Sequence, residues 1–283
     1  MAGREQAAGL NLTSPSEWQL VVELLLLGSV AGFLAGLLGI GGGALLVPFM
    51  TLVLSFKDMP AQHILKMAVA TSLATICFTS LSSLRAHHRR GAVRWDVVKL
   101  LAPGIVLGAL LGAQIARALP SAVLAMLFAV FLTFSALQMF FDRKPKPGRS
   151  MPQGAALFGV GGGVGVISTL VGAGGAFMTV PFMIACNVPI INAVATSAAL
   201  GFPIAVAGTL GYIIAGWSLP DMPSGAIGYL YLPALFTLAA ASMLAAPLGA
   251  RAAHRMQVRN LKRAFACLLL ALAGYMLVKG LTS

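Results

Sequence analysis

The sequence has little charge. Only 9% of its 283 residues are charged, whereas 59% are hydrophobic, and a soluble domain carries about 25% charged residues. So few charges cannot cover a water-facing surface, and several apolar runs reach the roughly 20 helical residues that cross a bilayer core. The runs are continuous rather than alternating, which favours helices over a β-barrel. The composition therefore excludes an ordinary soluble protein and predicts an all-α polytopic membrane protein.

Cysteines and acidic residues are also scarce. The three cysteines, Cys77, Cys186 and Cys267, lie in or beside apolar runs and form no CxxC motif. They resemble small buried hydrophobic residues, so neither a disulfide nor a metal site is expected. The seven Asp and Glu residues supply no carboxylate pair and no Asp/His/Ser group for catalysis. We therefore expect no enzymatic activity, no bound metal and no cofactor.

Basic residues are in excess, and the formal net charge is +12. They cluster in short segments between apolar runs, at 85–94 and 255–263. This pattern is typical of the cytoplasmic loops of membrane proteins rather than of a nucleic-acid-binding patch, so the lipid bilayer is an expected partner and nucleic acid is not. The first 17 residues are polar and lack the basic start and short apolar core of a signal peptide. They predict a tail followed by a retained first helix.

Proline, glycine or charge divides the rest of the chain into ten apolar segments. These are 18–38, 44–55, 64–84, 97–116, 119–141, 155–170, 176–186, 191–215, 227–249 and 263–281. The sharpest change in composition is DRKPKPGRSMPQG at 142–154. We therefore predict an N-terminal tail (1–17), a first transmembrane repeat (18–141), a basic cytoplasmic linker (142–154) and a second transmembrane repeat (155–283).

The two halves of the chain are related. GIGGGALLVPF at 39–49 and GAGGAFMTVPF at 172–182 match at six of eleven positions, and AVATS occurs at both 68–72 and 193–197. Several matches in the same order indicate an internal duplication, which is typical of secondary transporters.

The distribution of basic residues favours inverted repeats. If each glycine-broken stretch turns back at its glycines, each half makes an odd number of passes. The loops 85–96, 142–150 and 250–263, which hold 13 of the 19 Lys and Arg residues, then share the cytoplasmic side. If each broken stretch crosses once, the third loop lies outside, against this bias. Whether the short arms after the glycines span the membrane or are re-entrant stays open at this point.

The glycine clusters lie inside apolar segments, where they would break helices. Broken backbone at membrane depth must line an enclosed or watery cavity, because lipid cannot satisfy it. The helix that restarts there directs free N–H groups and a positive dipole end into the cavity, which suits a small anion. Close helix packing is the alternative, and we prefer it for Gly28, Gly32 and Gly36. The denser clusters, followed by Pro48 and Pro181, predict a substrate site.

Several polar residues complete this candidate site. The AVATS hydroxyls could donate to an oxyanion or bond back to a carbonyl one turn earlier, and their recurrence favours the first role, more for the threonines than for the serines. Lys66 could attract an anion or snorkel to the interface, and Asn192 has a methionine as its counterpart. The candidate residues are Gly39, Gly41, Gly42, Gly43, Gly172, Gly174, Gly175, Thr71, Ser72, Thr196, Ser197, Asn192 and Lys66.

The glycine cluster followed by Val-Pro-Phe, the AVATS motif and the doubled arrangement resemble the TauE/SafE sulfite exporter family over about 19–281. The resemblance implies a multi-pass protein of the bacterial inner membrane that transports small anions, typically sulfite or sulfonated and related organic acids, often outwards. It also implies that the substrate lies at the duplicated glycine and Thr/Ser segments. The family is often described as having eight spans, from which the hairpin arrangement inferred from charge departs.

We therefore expect a secondary transporter that exports a small anion by alternating access. The chain has no P-loop and no nucleotide-binding domain, so a gradient, such as that of protons, would supply the energy. One alternative is a cation or metal transporter, which the scarcity of acidic residues disfavours. Another is an assembly factor or membrane enzyme that uses the fold as a scaffold. The sequence leaves the exact substrate and the oligomeric state open.

Overall fold

A computed structural model of the chain describes residues 15–38, 43–56, 60–141, 148, 150–220, 222–253 and 258–282. These residues form ten α-helices and one short pair of strands. The helices are α1 (Pro15–Leu38), α2 (Gly43–Ser55), α3 (Ala61–Arg89), α4 (Trp95–Ala118), α5 (Ser121–Phe141), α6 (Ala155–Leu170), α7 (Ala176–Ala185), α8 (Ile190–Gly216), α9 (Leu232–Ala253) and α10 (Val258–Thr282). Each predicted apolar segment overlaps one of these helices, which confirms the all-α polytopic fold.

The predicted boundaries of the repeats lie partly outside the described residues. Helix α1 begins inside the predicted tail, and most of the predicted linker is not described. The described residues of the linker, 148 and 150–154, form no helix or strand, and α6 follows them directly. The division of the chain into a tail, two repeats and a linker therefore stays a prediction.

Five helices of the described residues are long and apolar enough to cross a membrane: α3, α4, α5, α8 and residues 263–282 of α10. The other five have shorter apolar stretches. Among them, α2 has 13 residues and α7 has 10, which correspond to about 20 Å and about 15 Å of helix. Because the hydrocarbon core is about 30 Å thick, neither α2 nor α7 can span it alone.

The backbone breaks between α6 and α7 occur at glycines with left-handed geometry. Helix α6 ends at Leu170, Gly172 has a φ of 59° and Gly175, which precedes α7, has a φ of 75°. Side chains disfavour these angles, so glycine is the residue that permits both turns. The following helix, α8, begins directly after Pro189, as α3 begins after Pro60. Proline suits a helix start, where its missing N–H group would have no acceptor within the helix.

The two halves pack reciprocally. Each contributes five of the described helices, so α1 corresponds to α6 and α4 to α9. Helix α1 packs against α9 and α6 packs against α4, so the first helix of each half lies on the fourth helix of the other. The third helices, α3 and α8, pack together, as do the fifth helices, α5 and α10. This pattern agrees with a duplication, and the inverted orientation of the halves stays a prediction.

Glycines bring the backbones of these helix pairs close together. A Cβ added at Gly28 of α1 would lie 2.9 Å from Ala241 Cβ of α9, and one at Gly32 would meet the backbone of Ser242. On the other pair, the backbone of α6 at Phe158 leaves no room for a Cβ at Gly104 of α4. These contacts support the packing role expected for Gly28 and Gly32, since small residues allow helix backbones to approach.

A short hairpin precedes α9. Strands β1 (Ala226–Ile227) and β2 (Leu230–Tyr231) are antiparallel. They and their turn occupy the first five residues of the predicted apolar segment 227–249, and α9 begins only at Leu232. Gly228 has a φ of 56°, and the backbone of Ile213 leaves no room for a side chain on it. The turn at this glycine therefore overrides the apolar pattern.

Candidate functional site

The glycine segments of the two halves meet beside α3. The Ser72 hydroxyl lies 3.2 Å from the carbonyl oxygen of Gly172 and 3.4 Å from that of Gly43, and donates to both. A Cβ added at Gly43 would lie 2.7 Å from the Gly172 carbonyl oxygen. The structure therefore brings together Gly43, Ser72 and Gly172 of the predicted site. Gly39, Gly41 and Gly42 lie outside the described residues.

This junction is closed around the Ser72 side chain. Ser72 is fully buried, and its one proton is directed at backbone carbonyls. Gly172 also faces Val47 Cγ2, which would lie 2.7 Å from an added Cβ. The first AVATS serine therefore ties the two glycine segments to each other.

The AVATS threonines make the same kind of contact in both halves. Thr71 Oγ1 accepts a hydrogen bond of 3.2 Å from the backbone N–H of Tyr231, and Thr196 Oγ1 accepts one of 3.0 Å from that of Arg94. Tyr231 directly precedes α9, and Arg94 directly precedes α4. Each threonine therefore holds the start of the fourth helix of one half, and neither bonds back to a carbonyl of its own helix in these contacts.

Asn192 belongs to the same anchoring contact as Thr196. Its side-chain amide donates a hydrogen bond of 2.8 Å to the carbonyl oxygen of Ala92. Asn192 and Thr196 are four residues apart and therefore lie on one face of α8. Together they bind both sides of the segment 92–94, which connects α3 to α4.

A small cavity lies at the second glycine segment, between α3, α8 and the start of α7. It has a volume of ≈ 50 Å³, enough for roughly four water molecules or an anion of a few heavy atoms. We call it the glycine cavity. Its lining includes the hydroxyl residues Thr79, Ser80, Ser83 and Ser197 and the glycines Gly174 and Gly201. Ser197 and Gly174 were both predicted as site residues, and the structure places them at the same cavity.

The N-terminus of α7 borders the glycine cavity. Gly175 precedes the helix and provides no side-chain cap, and Gly174 and Ala176 line the cavity. The N–H groups of the first helical residues, Ala176 and Phe177, have no carbonyl acceptor within their own helix. They add to the positive end of the helix dipole. This end of α7 can therefore stabilise a negative charge without a cationic side chain.

Hydroxyls surround the same helix end. Ser197 Oγ lies 2.7 Å from Thr179 Oγ1, which donates a hydrogen bond of 3.0 Å to the Gly175 carbonyl. Thr79 and Ser80 bond back to carbonyls of α3 at 3.3 Å, which is long for a hydroxyl donor. Because Thr79 and Ser80 line the cavity, both hydroxyls can turn from these backbone carbonyls towards a ligand.

Ser168, at the end of α6, adds a further polar atom beside α7. It is 1% exposed, and its hydroxyl has no hydrogen-bond partner within the described part of the chain. Its Oγ lies 3.2 Å from the position of a Cβ on Gly175. A buried hydroxyl without a partner is costly, so Ser168 offers a donor to any polar group that enters the region beside Gly175.

The sequence-based search did not find the hydroxyls of α3 or Ser168. A signal was present, because Thr79 and Ser83 are four residues apart and therefore share one helix face. Helical Ser and Thr often bond to their own backbone, so spacing alone does not separate the two roles. Which face of α3 meets α7 depends on contacts between distant helices.

Lys66 lies apart from the glycine cavity. It precedes Ile76 of that cavity by ten residues on α3, which is about 15 Å along the helix. Its ammonium group donates a hydrogen bond of 2.9 Å to the carbonyl oxygen of Arg117. Lys66 lines a second, larger cavity at the other end of the bundle. The structure therefore does not join Lys66 to the predicted glycine residues.

Metal-ligating side chains do not cluster in the described part of the chain, where no group of three or more His, Cys, Asp or Glu residues could hold a metal ion. No disulfide joins Cys77, Cys186 and Cys267. The polar groups at the glycine cavity are hydroxyls and backbone amides, which donate hydrogen bonds to anions.

The chain is similar to known membrane proteins along almost its whole length. Residues 24–276 match the family described as Sulfite exporter TauE/SafE. A "Probable membrane transporter protein" of Haemophilus influenzae is 36% identical, over 92% of this chain and 98% of that protein. One of Methanocaldococcus jannaschii is 25% identical, over 93% of this chain and 97% of its own length. No solved structure matches the chain.

The sequence similarity and the fold agree. The family match extends from α1 to α10 and includes both glycine segments and both AVATS motifs. The helices are apolar, and five of those described are long enough to span a bilayer. The chain is therefore a multi-pass membrane transporter that belongs to the TauE/SafE family.

Proposed function

We propose that this transporter moves a small anion, sulfite or a related sulfonate or organic acid, out of the cell across the inner membrane. The single observation that carries the proposal is the glycine cavity, where a helix N-terminus meets hydroxyl donors in a space of ≈ 50 Å³. None of the described residues that line this cavity is charged. The name of the matching family supports the choice of sulfite as the first substrate to test.

Hydrogen-bond donors would hold the anion. The N–H groups of Ala176 and Phe177 and the hydroxyls of Thr79 and Ser80 approach from different elements, so a tetrahedral or pyramidal oxyanion could be bound from two sides. Donors of this kind favour an anion without neutralising it fully, which allows release. Gly201 and Gly174 keep the cavity open, because larger side chains at these positions would occupy it.

Alternating access would use the junction between the two glycine segments. The contact of Ser72 with the Gly43 and Gly172 carbonyls joins the two glycine segments at α3, the helix that also carries residues of both cavities. We propose that the halves are inverted repeats and that this contact opens as they rock against each other, as in other transporters with discontinuous helices. A gradient, such as that of protons, would drive the cycle.

A flux assay tests the proposal. Purified protein in liposomes is loaded with radiolabelled sulfite, and efflux is compared with that from protein-free liposomes, in the presence of unlabelled sulfite, taurine, acetate or divalent metal ions as competitors. We expect sulfite efflux that anions inhibit and metal ions do not. Efflux of none of these anions, or inhibition by metal ions alone, would contradict the proposal and favour cation transport.

Comparing efflux in two leucine variants tests whether the transported anion passes through the glycine cavity. Gly201→Leu places a side chain in the cavity, and we expect it to abolish efflux. Gly163→Leu is the matched control, because Gly163 is an exposed helical glycine with nothing within 4 Å of an added Cβ. Equal losses in the two variants would mean that the cavity is not the site. Equal recovery of both proteins in a monodisperse detergent peak excludes misfolding.

A further inference from the structure

A second cavity of ≈ 530 Å³ lies at the start of α3, beside the end of α4 and the start of α5. We call it the basic cavity. The lining residues that matter here are Gln62, His63, Lys66, Arg117, Ser121 and Tyr229. None of the described lining residues is acidic. The cavity therefore has two formal positive charges, those of Lys66 and Arg117, and no described carboxylate to balance them.

Lys66 is buried in this cavity without a described anionic partner. It is 7% exposed. Its ammonium group contacts the Arg117 carbonyl oxygen and lies 5.9 Å from the centre of the Tyr229 ring. A carbonyl and an aromatic face carry only partial negative charge, so they leave the charge of the ammonium ion largely unneutralised. A bound anion would neutralise it.

Arg117 adds a second positive charge at the same cavity. Its side chain belongs to the last turn of α4 and is exposed, so it lies at the rim of the cavity, on the same side as Lys66. Two like charges that face one cavity repel each other, and an anion between them would remove that repulsion. Arg also presents several N–H donors in a plane that matches the geometry of an oxyanion.

The start of α5 adds a third favourable element. Ser121 is the first residue of this 21-residue helix and lines the cavity. Its hydroxyl donates a hydrogen bond of 2.8 Å to the Gln62 carbonyl, which fixes the helix start to α3. The free N–H groups and positive dipole end of α5 are therefore held at the cavity. Here the helix end is accompanied by the buried Lys66, so two independent features favour negative charge.

We infer that the basic cavity is a second anion site, for a tetrahedral oxyanion such as sulfate or phosphate, separate from the glycine cavity. Its volume exceeds that of the glycine cavity about tenfold, so it accepts a hydrated anion or a lipid headgroup. The two sources share the same chemistry: a free oxyanion in transit or the phosphate of a membrane lipid. The inference rests on the charges of this cavity and does not require the transport proposal to be correct.

Sulfate binding to the full-length protein tests the first source. Titration calorimetry in detergent at low ionic strength is performed on the wild type, Lys66→Gln and Lys99→Gln, the last being an exposed lysine on α4 that does not line the cavity. We expect Lys66→Gln to weaken sulfate binding at least about tenfold, Lys66→Arg to restore most of it and Lys99→Gln to leave it unchanged. Binding that persists in Gly201→Leu belongs to the basic cavity and not to the glycine cavity.

Native mass spectrometry tests the second source. If the phosphate of a lipid occupies the cavity, the wild type retains a phospholipid that excess sulfate displaces poorly, and Lys66→Gln loses it. Loss of neither sulfate binding nor lipid retention in a folded Lys66→Gln protein overturns the inference.

A third variant tests for an internal counter-charge. Asp221 follows the lining residue Pro220 in the sequence. We expect Asp221→Asn to bind the anion at least as tightly as the wild type. Anion binding that appears only in Asp221→Asn would show that the protein supplies its own carboxylate, and would equally overturn the inference.

Discussion

The two AVATS helices, α3 and α8, carry the same motif but present different surfaces to the glycine segments. Alignment of the motifs at an offset of 125 residues pairs Thr79, Ser80 and Ser83 of α3 with Ile204, Ala205 and Gly208 of α8. The hydroxyls of α3 face the second glycine segment across the glycine cavity. At the matching positions of α8, all three hydroxyls are absent.

Two of the residues on α8 that line the glycine cavity are smaller than their counterparts on α3. Ala198 and Gly201 line the glycine cavity, and their counterparts in the first half are Leu73 and Ile76. Leu73 is fully buried, and its Cδ1 would lie 2.9 Å from a Cβ on Gly208, while Ile76 Cδ1 would lie 2.5 Å from one on Gly43. In the described residues, the two halves therefore share the broken helices, while these three hydroxyls of α3 and these two small residues of α8, which line the glycine cavity, have no counterparts at the matching positions of the other helix.

The largest effect on transport is expected when the three hydroxyl residues of α3 are replaced by the residues at the matching positions of α8. The triple exchange Thr79→Ile, Ser80→Ala and Ser83→Gly removes the hydroxyls and fills part of the cavity. We expect sulfite efflux from liposomes to fall by about 100-fold, because two or more hydrogen bonds to a charged ligand are lost. The matched control, Ala205→Ser on α8, should retain more than half of the wild-type rate. Comparable rates in the triple variant and the wild type would refute the asymmetry.

Next in size are the substitutions in the second glycine segment. Gly175→Ala forces a side chain into a φ of 75° and against Ile204 Cδ1. We expect it to cost about 1–2 kcal/mol, measured as a lower thermal unfolding temperature in detergent. Gly174→Ala is the control, because its added Cβ would have Ile76 Cγ2 at 3.5 Å as its described neighbour. A Gly174→Ala protein that unfolds as early as Gly175→Ala would contradict this account of the backbone.

The two AVATS serines provide a matched pair. Ser197→Ala removes a hydroxyl from the glycine cavity and should weaken anion affinity by at most about fivefold, because this hydroxyl donates to Thr179 Oγ1 and has to turn from it towards the anion. Thermal stability should change little, because Thr179 keeps its bond to the Gly175 carbonyl. Ser72→Ala breaks the junction and should lower stability by about 1 kcal/mol, with affinity in the glycine cavity nearly unchanged. A loss of affinity in Ser72→Ala and a loss of stability in Ser197→Ala would show that Ser72 belongs to the binding site and Ser197 to the structural contact.

The smallest difference is expected between the threonines. Thr71→Val and Thr196→Val each remove the acceptor for a backbone N–H group. We expect a loss of about 1 kcal/mol for Thr71→Val and about half of that for Thr196→Val, because Tyr231 is buried and Arg94 is exposed. Thermal unfolding of the two variants side by side measures this difference. An equally large drop in anion affinity for both variants would instead support the direct substrate contact first predicted for these threonines.

The fold was largely predictable because it depends on apolar length and on breaks that glycine and proline impose locally. All ten helices were found from these signals, and the short arms α2 and α7 were located after the glycine clusters. The hairpin at 226–231 was missed, because the apolar residues around Gly228 favour a helix until the close approach of Ile213 is known. That approach depends on residues 15 positions earlier.

The candidate site was predictable only in part. Glycine density led to Gly174 and the repeated motif led to Ser197, and both line the glycine cavity; their role in substrate binding stays a prediction. The hydroxyls of α3 were missed because their role depends on the crossing of α3 with α8 and α7. Lys66 was grouped with the glycines because both were unusual in an apolar chain, and only the path of α3 shows that about 15 Å of helix separates them.

The reciprocal packing of α1 on α9 and of α6 on α4 has a consequence for how such a chain can arise and be divided. A polypeptide containing one half alone would expose the glycine-lined face of its first helix, with no fourth helix from a second half to cover it. Two copies side by side would restore every pairing, so a half-length precursor would have to exist as a homodimer. For the same reason, halves expressed from separate genes would fold only when made together.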